Sequence, residues 1–157
     1  MILGVTGHQS IPNAARYYVA SHLEELLRRQ SKPLIGWSAL AAGADQLFAD
    51  LVLQAGGRLH VLIPARGYEE TFSGSADEQH FRSLLTRATV VERLHHAEPS
   101  ETAFLDAGRR IVERVEALVA VWDGEPARGT GGTADVVAYA RDLGVGVHIV
   151  WPPGVER

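Results

Sequence analysis

Six short apolar runs, Ile2 to Thr6, Leu34 to Trp37, Leu59 to Ile63, Thr89 to Leu94, Leu118 to Trp122 and Val145 to Trp151, alternate along this chain with longer stretches of helical spacing. That alternation limits the possible architectures more than any other feature. Pro12 opens the first helical stretch, which sets Ala15, Val19, Leu23, Leu26 and Leu27 near one face and puts Arg28 and Arg29 in its last turn, where they complement the helix dipole. The spacing predicts further helices over about 45–55, 78–87, 101–114 and 133–143, with Gly56-Gly57 and Gly144 as stops. Strands that are apolar throughout are buried on both faces, which is the signature of a parallel sheet covered by helices on either side. The weakest strand is the fourth. Pro64 is expected to end the third strand, and Pro152-Pro153-Gly154 to end the structure.

Length and composition restrict what such a fold is used for. A chain of 157 residues is one domain's worth, without repeat, linker or low-complexity tract. There is no cysteine, which excludes disulfides, thiolate catalysis and zinc-cysteine sites. The N-terminus shows no signal peptide and no run long enough to span a membrane, so the expected location is cytoplasmic and no membrane partner is expected. A net charge of −4 and the lack of a basic stripe weigh against nucleic acid as a partner. His95 and His96 are adjacent and on a strand point to opposite faces, and no other spacing suggests a metal, so neither metal nor cofactor is expected.

In open parallel sheets, ligands bind beyond the carboxyl ends of the strands, where strand order reverses. Glycines, hydroxyls and a few charges collect at those ends here: Gly7, His8, Gln9 and Ser10 after the first strand, Ser38 to Asp45 after the second, Pro64 to Gly67 after the third, and Asp123 to Thr133 after the fifth. The last group holds GTGGT, Gly129 to Thr133, ahead of a helix. Glycines let a ligand approach the main chain closely, and amides at a helix start favour an anion, typically phosphate. The simpler reading is a helix-entry turn with Thr130 or Thr133 as N-cap. The segment is not a P-loop, because Gly132-Thr133 lacks the lysine. Gly129-x-Gly131-x-x-Ala134 matches the dinucleotide fingerprint, but it follows the fifth strand rather than the first and lacks the distal acidic residue, which argues against an NAD enzyme.

Four motifs in order, GVTGH, SALAAGADQLFAD, IPARGYEETF and LVAVWDG…GGTADVVAYA, resemble the SLOG superfamily, which joins the Smf/DprA DNA-processing proteins with the "lonely guy" (LOG) proteins. The match is closest to the small YpsA-like members and covers nearly the whole chain. The resemblance implies a Rossmann-like three-layer α/β/α domain with a mainly parallel sheet, order around 3-2-1-5-6 and the fourth strand at an edge. It implies a nucleotide or nucleotide-derived ligand, bound by a sensor or ligand-handling protein, with Gly7 and His8 beside the Gly129–Thr133 loop. Relatives are often dimers or larger, and the helices carry enough apolar surface for a homo-oligomer.

The lonely-guy branch cleaves nucleoside 5′-monophosphates at the N-glycosidic bond, using a Pro-Gly-Gly-x-Gly-Thr-x-x-Glu motif and an arginine on the preceding helix. Aligned on Gly132-Thr133, this chain has Arg128 for the proline, Thr130 for the second glycine and Val136 for the glutamate. Asp135 falls one residue early, a rotation of about 100° on a helix. The catalytic candidates for a hydrolase are therefore Asp135 and Arg109 or Arg110. The ligand-binding candidates are Gly7, His8, Gln9, Ser38, Gly43, Asp45, Arg66, Asp123, Gly129, Thr130, Gly131, Gly132 and Thr133. Asp45 suits a ribose hydroxyl, His8 or its own helix start equally, and Tyr68 and Phe72 suit a base or the anchoring of their loop. A DNA-handling role by analogy with Smf/DprA is the reading that the acidic balance favours least.

Overall fold

The computed structural model describes residues 1–72, 74–126 and 132–157. It contains the strands β1 (Ile2–Gly7), β2 (Ile35–Ser38), β3 (Arg58–Ala65), β4 (Val90–His96), β5 (Ala117–Val121) and β6 (Gly146–Ile149). Between them lie α1 (Asn13–Arg28), α2 (Ala44–Gln54), α3 (Ser75–Thr86), α4 (Glu101–Arg114) and α5 (Thr133–Asp142), with a 3-10 turn at Tyr68–Thr71. The sheet order is β4-β3-β2-β1-β5-β6, and every neighbouring pair is parallel. This is the Rossmann-like α/β arrangement expected, with β4 at an edge.

Side-chain alternation along β5 shows how the layers form. Ala117, Val119 and Val121 join Leu3 and Val5 against α1 and α2, through Val19, Leu23 and Phe48. Leu118 and Ala120 point the other way, against Val112 of α4 and Val136, Val137 and Ala140 of α5. Burial on both faces is why these strands read as continuous apolar runs. At the β3 end of the sheet, Leu59, Val61 and Ile63 pack on Phe81 and Leu84 of α3.

Two expectations about chain breaks are corrected. Pro64 does not end β3; the strand continues to Ala65. The β3–β4 register shifts between Ile63 and Ala65, so the residue without an N–H sits at an irregularity in the ladder. Nor does Pro152-Pro153-Gly154 end the structure. The Trp151 indole Nε1 donates to the Val155 carbonyl at 2.7 Å, folding the tail back toward the strand ends.

The reversal of strand order falls between β1 and β5. Helix α1 leads from β1 to its neighbour β2 on one side, whereas β5 lies on the other, with Gly7 opposite Val121 in the register. The chain segments leaving these two strands diverge and leave a crevice.

Candidate functional site

A cavity of about 440 Å³ opens at that crevice. Its walls come from Gly7, His8 and Gln9 at the end of β1, Ala41, Ala42 and Asp45 around the start of α2, Tyr68 and Phe72 after β3, Phe104 and Gly108 on α4, Gly132 and Thr133 at the start of α5, and Arg157 in the tail. The volume is within the range of small-molecule sites, roughly 300–1,000 Å³.

Close backbone packing builds the β1 side. A Cβ on Gly7 would stand 2.6 Å from the Ala44 Cβ and 2.8 Å from the Val121 Cβ, so only glycine admits α2 this near the strand. Gly43 has φ +80°, and a Cβ there would meet the Gln9 carbonyl oxygen at 2.4 Å. The Ala44 N–H donates to the His8 carbonyl at 3.1 Å. Thus α2 begins directly against the turn that carries His8. Leu40 adopts φ 59° in the same loop, a rare conformation for a branched side chain, and is fully buried.

Asp45 lines the cavity and is 8 % exposed. Its Oδ2 accepts from the Ala41 N–H at 3.3 Å. Burial pushes its carboxyl up to about 7, and the single backbone hydrogen bond only partly offsets this. The nearby Tyr68 hydroxyl is also pushed up, first by burial and then by the Asp45 charge. Burial therefore favours the protonated form of Asp45 well above the pH at which an exposed carboxyl ionises.

Asp123 lies nearer the surface and is differently partnered. Its Oδ1 accepts from the Glu125 N–H at 3.0 Å and lies 3.3 Å from His8 Nε2, and Arg157 Nε is 3.3 Å from Oδ2. Burial would raise its pKa, but the Glu125 N–H, Arg157 and His8 together outweigh it and hold the carboxyl below the ordinary range. His8 is held from several sides. Its main-chain N–H donates to the Val121 carbonyl at 3.1 Å, and the Trp151 ring meets its imidazole edge-on at 5.2 Å.

The structure brings Gly7, His8, Gln9, Asp45, Gly132 and Thr133 together on one cavity. Gly129, Thr130 and Gly131 lie outside the described residues. Ser38, Gly43 and Asp123 are not on the lining but support it. The Ser38 hydroxyl is fully buried, donating to the Asp45 carbonyl and accepting from the Leu40 N–H. Arg66 is exposed and off the lining. Arg109 is exposed on α4, with its guanidinium 5.4 Å from the Tyr139 ring, and Asp135 is exposed on α5; neither lines the cavity.

Tyr68 and Phe72 both anchor their loop and wall the cavity. The Tyr68 ring contacts Phe72, Phe81 and Phe104 at centroid distances of 5.7, 5.7 and 6.0 Å. Sequence reasoning missed Arg157. An arginine after Pro-Pro-Gly carries no local signal, because its position depends on the tail returning across the sheet.

No protein-family model matches the sequence, nor does any curated protein sequence. Solved structures share the fold. DNA processing protein A (DprA) from Streptococcus pneumoniae superposes with a TM-score of 0.66 at 18% identity, over 94% of this chain and 49% of that one. The DNA processing protein A of Helicobacter pylori, whose structure was described for its single-stranded DNA binding mode, gives 0.70 at 13% identity, over 95% and 64%. The structural-genomics target TM1055 gives 0.58 at 16% identity, over 93% and 71%. The chain thus spans about half of the first protein and just under two thirds of the second.

These likenesses correct one expectation. The net charge of −4 weighs against nucleic acid, yet a protein of this fold binds single-stranded DNA. Single strands are held by local grooves and stacking surfaces as well as by charge, so the overall balance of a chain does not exclude them.

Proposed function

We infer that this chain binds a nucleotide or nucleotide-derived phosphorylated ligand in the cavity beyond β1 and β5, as a sensor or ligand-handling protein. One observation carries the reading: Gly7 to Gln9, Asp45 and Gly132-Thr133, far apart in sequence, converge on a single cavity at the reversal of strand order. The ends of the cavity differ in a way that suits such a ligand. Tyr68, Phe72 and Phe104 offer aromatic surface for a base, whereas His8, Thr133 and Arg157 offer polar groups for ribose and phosphate.

Calorimetry or thermal shift with AMP, ADP-ribose and related nucleotides tests the reading. Saturable binding is expected, and Gly132→Asp is expected to abolish it by adding a negative charge to the cavity wall. Absence of binding by every phosphorylated nucleotide, with wild type and variant melting alike, would count against it.

A second source of the same nucleotide is favoured by the likeness to the Helicobacter pylori protein, namely a base and phosphate presented by single-stranded DNA. Competition between a short oligodeoxynucleotide and AMP separates the two. An oligonucleotide that displaces AMP supports the strand reading, and indifference restricts the site to free nucleotides. A nucleotide N-glycosidase would need Arg109 and Asp135 at the ligand, and no observation favours it.

A further inference from the structure

The tail after β6 returns to the cavity and delivers Arg157, whose side chain is 20 % exposed. Among the described residues that line the cavity, Arg157 is the only arginine or lysine. Its guanidinium is held at three points: Nε faces Asp123 Oδ2 at 3.3 Å, Nη2 donates to the Pro126 carbonyl at 2.9 Å, and Nη1 lies 3.4 Å from His8 Nδ1. A guanidinium has a fixed fork of five N–H groups, so this arrangement leaves one N–H on each terminal nitrogen. The His8 contact is the longest of the three and the easiest to exchange.

We propose that Arg157 is the residue that recognises the anionic group of the ligand, so that the site prefers a phosphorylated nucleotide to its nucleoside. This deepens the nucleotide reading and rests on it. The two N–H groups not engaged by the described residues can donate to phosphate oxygens, for which a guanidinium is suited. The acidic neighbours do not oppose such a ligand. Asp123 is already paired with Arg157, burial favours the protonated form of Asp45, and Asp77 stands exposed at the rim. An arginine that served only to tether the tail would make the same contact with Asp123, so the test must separate recognition from tethering.

The experiment measures binding of AMP, adenosine and inorganic pyrophosphate to the full chain and to its Arg157→Gln, Arg157→Lys and Asp123→Asn variants, with a thermal melt of each. Arg157→Gln is expected to weaken AMP by about tenfold or more, the worth of a charge-assisted contact, and to leave adenosine unchanged. Arg157→Lys, which keeps the charge without the fork, is expected to fall between. Asp123→Asn removes the internal counter-ion and frees the guanidinium, so AMP is expected to bind at least as tightly as to the wild type.

Arg157→Gln binding AMP normally, AMP and adenosine weakening together, or Asp123→Asn weakening AMP in step with Arg157→Gln would each make Arg157 a tether. The proposal would then fall while the nucleotide reading stood. Pyrophosphate bound through Arg157 with no nucleotide bound would sink the nucleotide reading and keep the anion assignment. Binding of neither would sink both. If Arg157→Gln melts below the assay temperature, the Arg157→Lys and Asp123→Asn arms decide by the same criteria.

Discussion

Asp45 and Asp123 sit at the same end of the sheet, yet they are driven in opposite directions. Asp45 has one backbone donor and rises to about 7, whereas Asp123 has an arginine, a histidine and a backbone donor and is depressed. Burial penalises both charges. The difference lies in how deeply each is buried and in whether the surroundings return the hydration it loses. The molecule thus carries a carboxyl favoured as the acid on the cavity wall at α2 and one favoured as the anion just beyond β5.

The largest effect expected from breaking this contrast is at Asp45. Its folded pKa lies above the unfolded value of 3.8, so the native state binds its proton more tightly, and stability falls as pH rises through the interval up to about 7. Asp45→Asn removes that penalty and keeps an oxygen for the Ala41 N–H. It is expected to stabilise by roughly 2–4 kcal/mol at pH 8, less at pH 5 and little at pH 3. Urea denaturation at the three pH values checks this, and a gain independent of pH would show that Asp45 is not a buried acid.

Gly7→Ala tests the packing between the two carboxylates. Its methyl meets Ala44 and the β5 backbone at distances that real Cβ atoms do not show, with a cost of about 1–3 kcal/mol and a distorted cavity. A thermal melt alongside nucleotide binding measures both.

Asp123→Asn should act oppositely to Asp45→Asn. A carboxylate whose folded pKa is depressed contributes stability above its unfolded pKa and loses it as pH falls through the folded value. Its loss is expected to cost about 1–2 kcal/mol at pH 7, since the Pro126 carbonyl still holds Arg157, and to cost nothing once the carboxyl is protonated at low pH. Equal destabilisation at both pH values would mean that the carboxylate's charge is not what matters.

The smallest effect is expected outside the crevice. Arg109→Ala removes an exposed cation–π contact with Tyr139 and should change stability by less than about 1 kcal/mol. Ligand binding is expected to persist, and loss of a hydrolytic activity in this variant would revive the N-glycosidase reading.

Much of this molecule was legible before its structure. The runs at Ile2 and Leu118 are apolar at every step because both faces of β1 and β5 are covered, and that pattern is local. Glu101–Arg114 was expected as a helix and is one; Ser100 caps it by accepting from the Ala103 N–H. The cluster of small and polar residues at the end of β1 pointed to the cavity for a similar reason, since Gly7 ends the strand and His8 follows it directly. Pro64 misled because its missing N–H is costly only in a regular ladder, and the irregularity that accommodates it comes from the partner strand. Arg66 and Arg157 show the same limit from the other side. Both are arginines near glycine and proline in loops, and only the path of the tail brings one to the cavity and leaves the other exposed.

By itself the sequence determined the succession of strands and helices, the parallel sheet and the end of it at which polar residues gather, because hydrophobic periodicity and turn chemistry act between residues a few positions apart. The tertiary structure alone decided which carboxylate keeps its proton, which is braced as an anion and which arginine faces the cavity. Those properties depend on burial and on charges brought close through space, such as Arg157 beside Asp123 across more than thirty intervening residues.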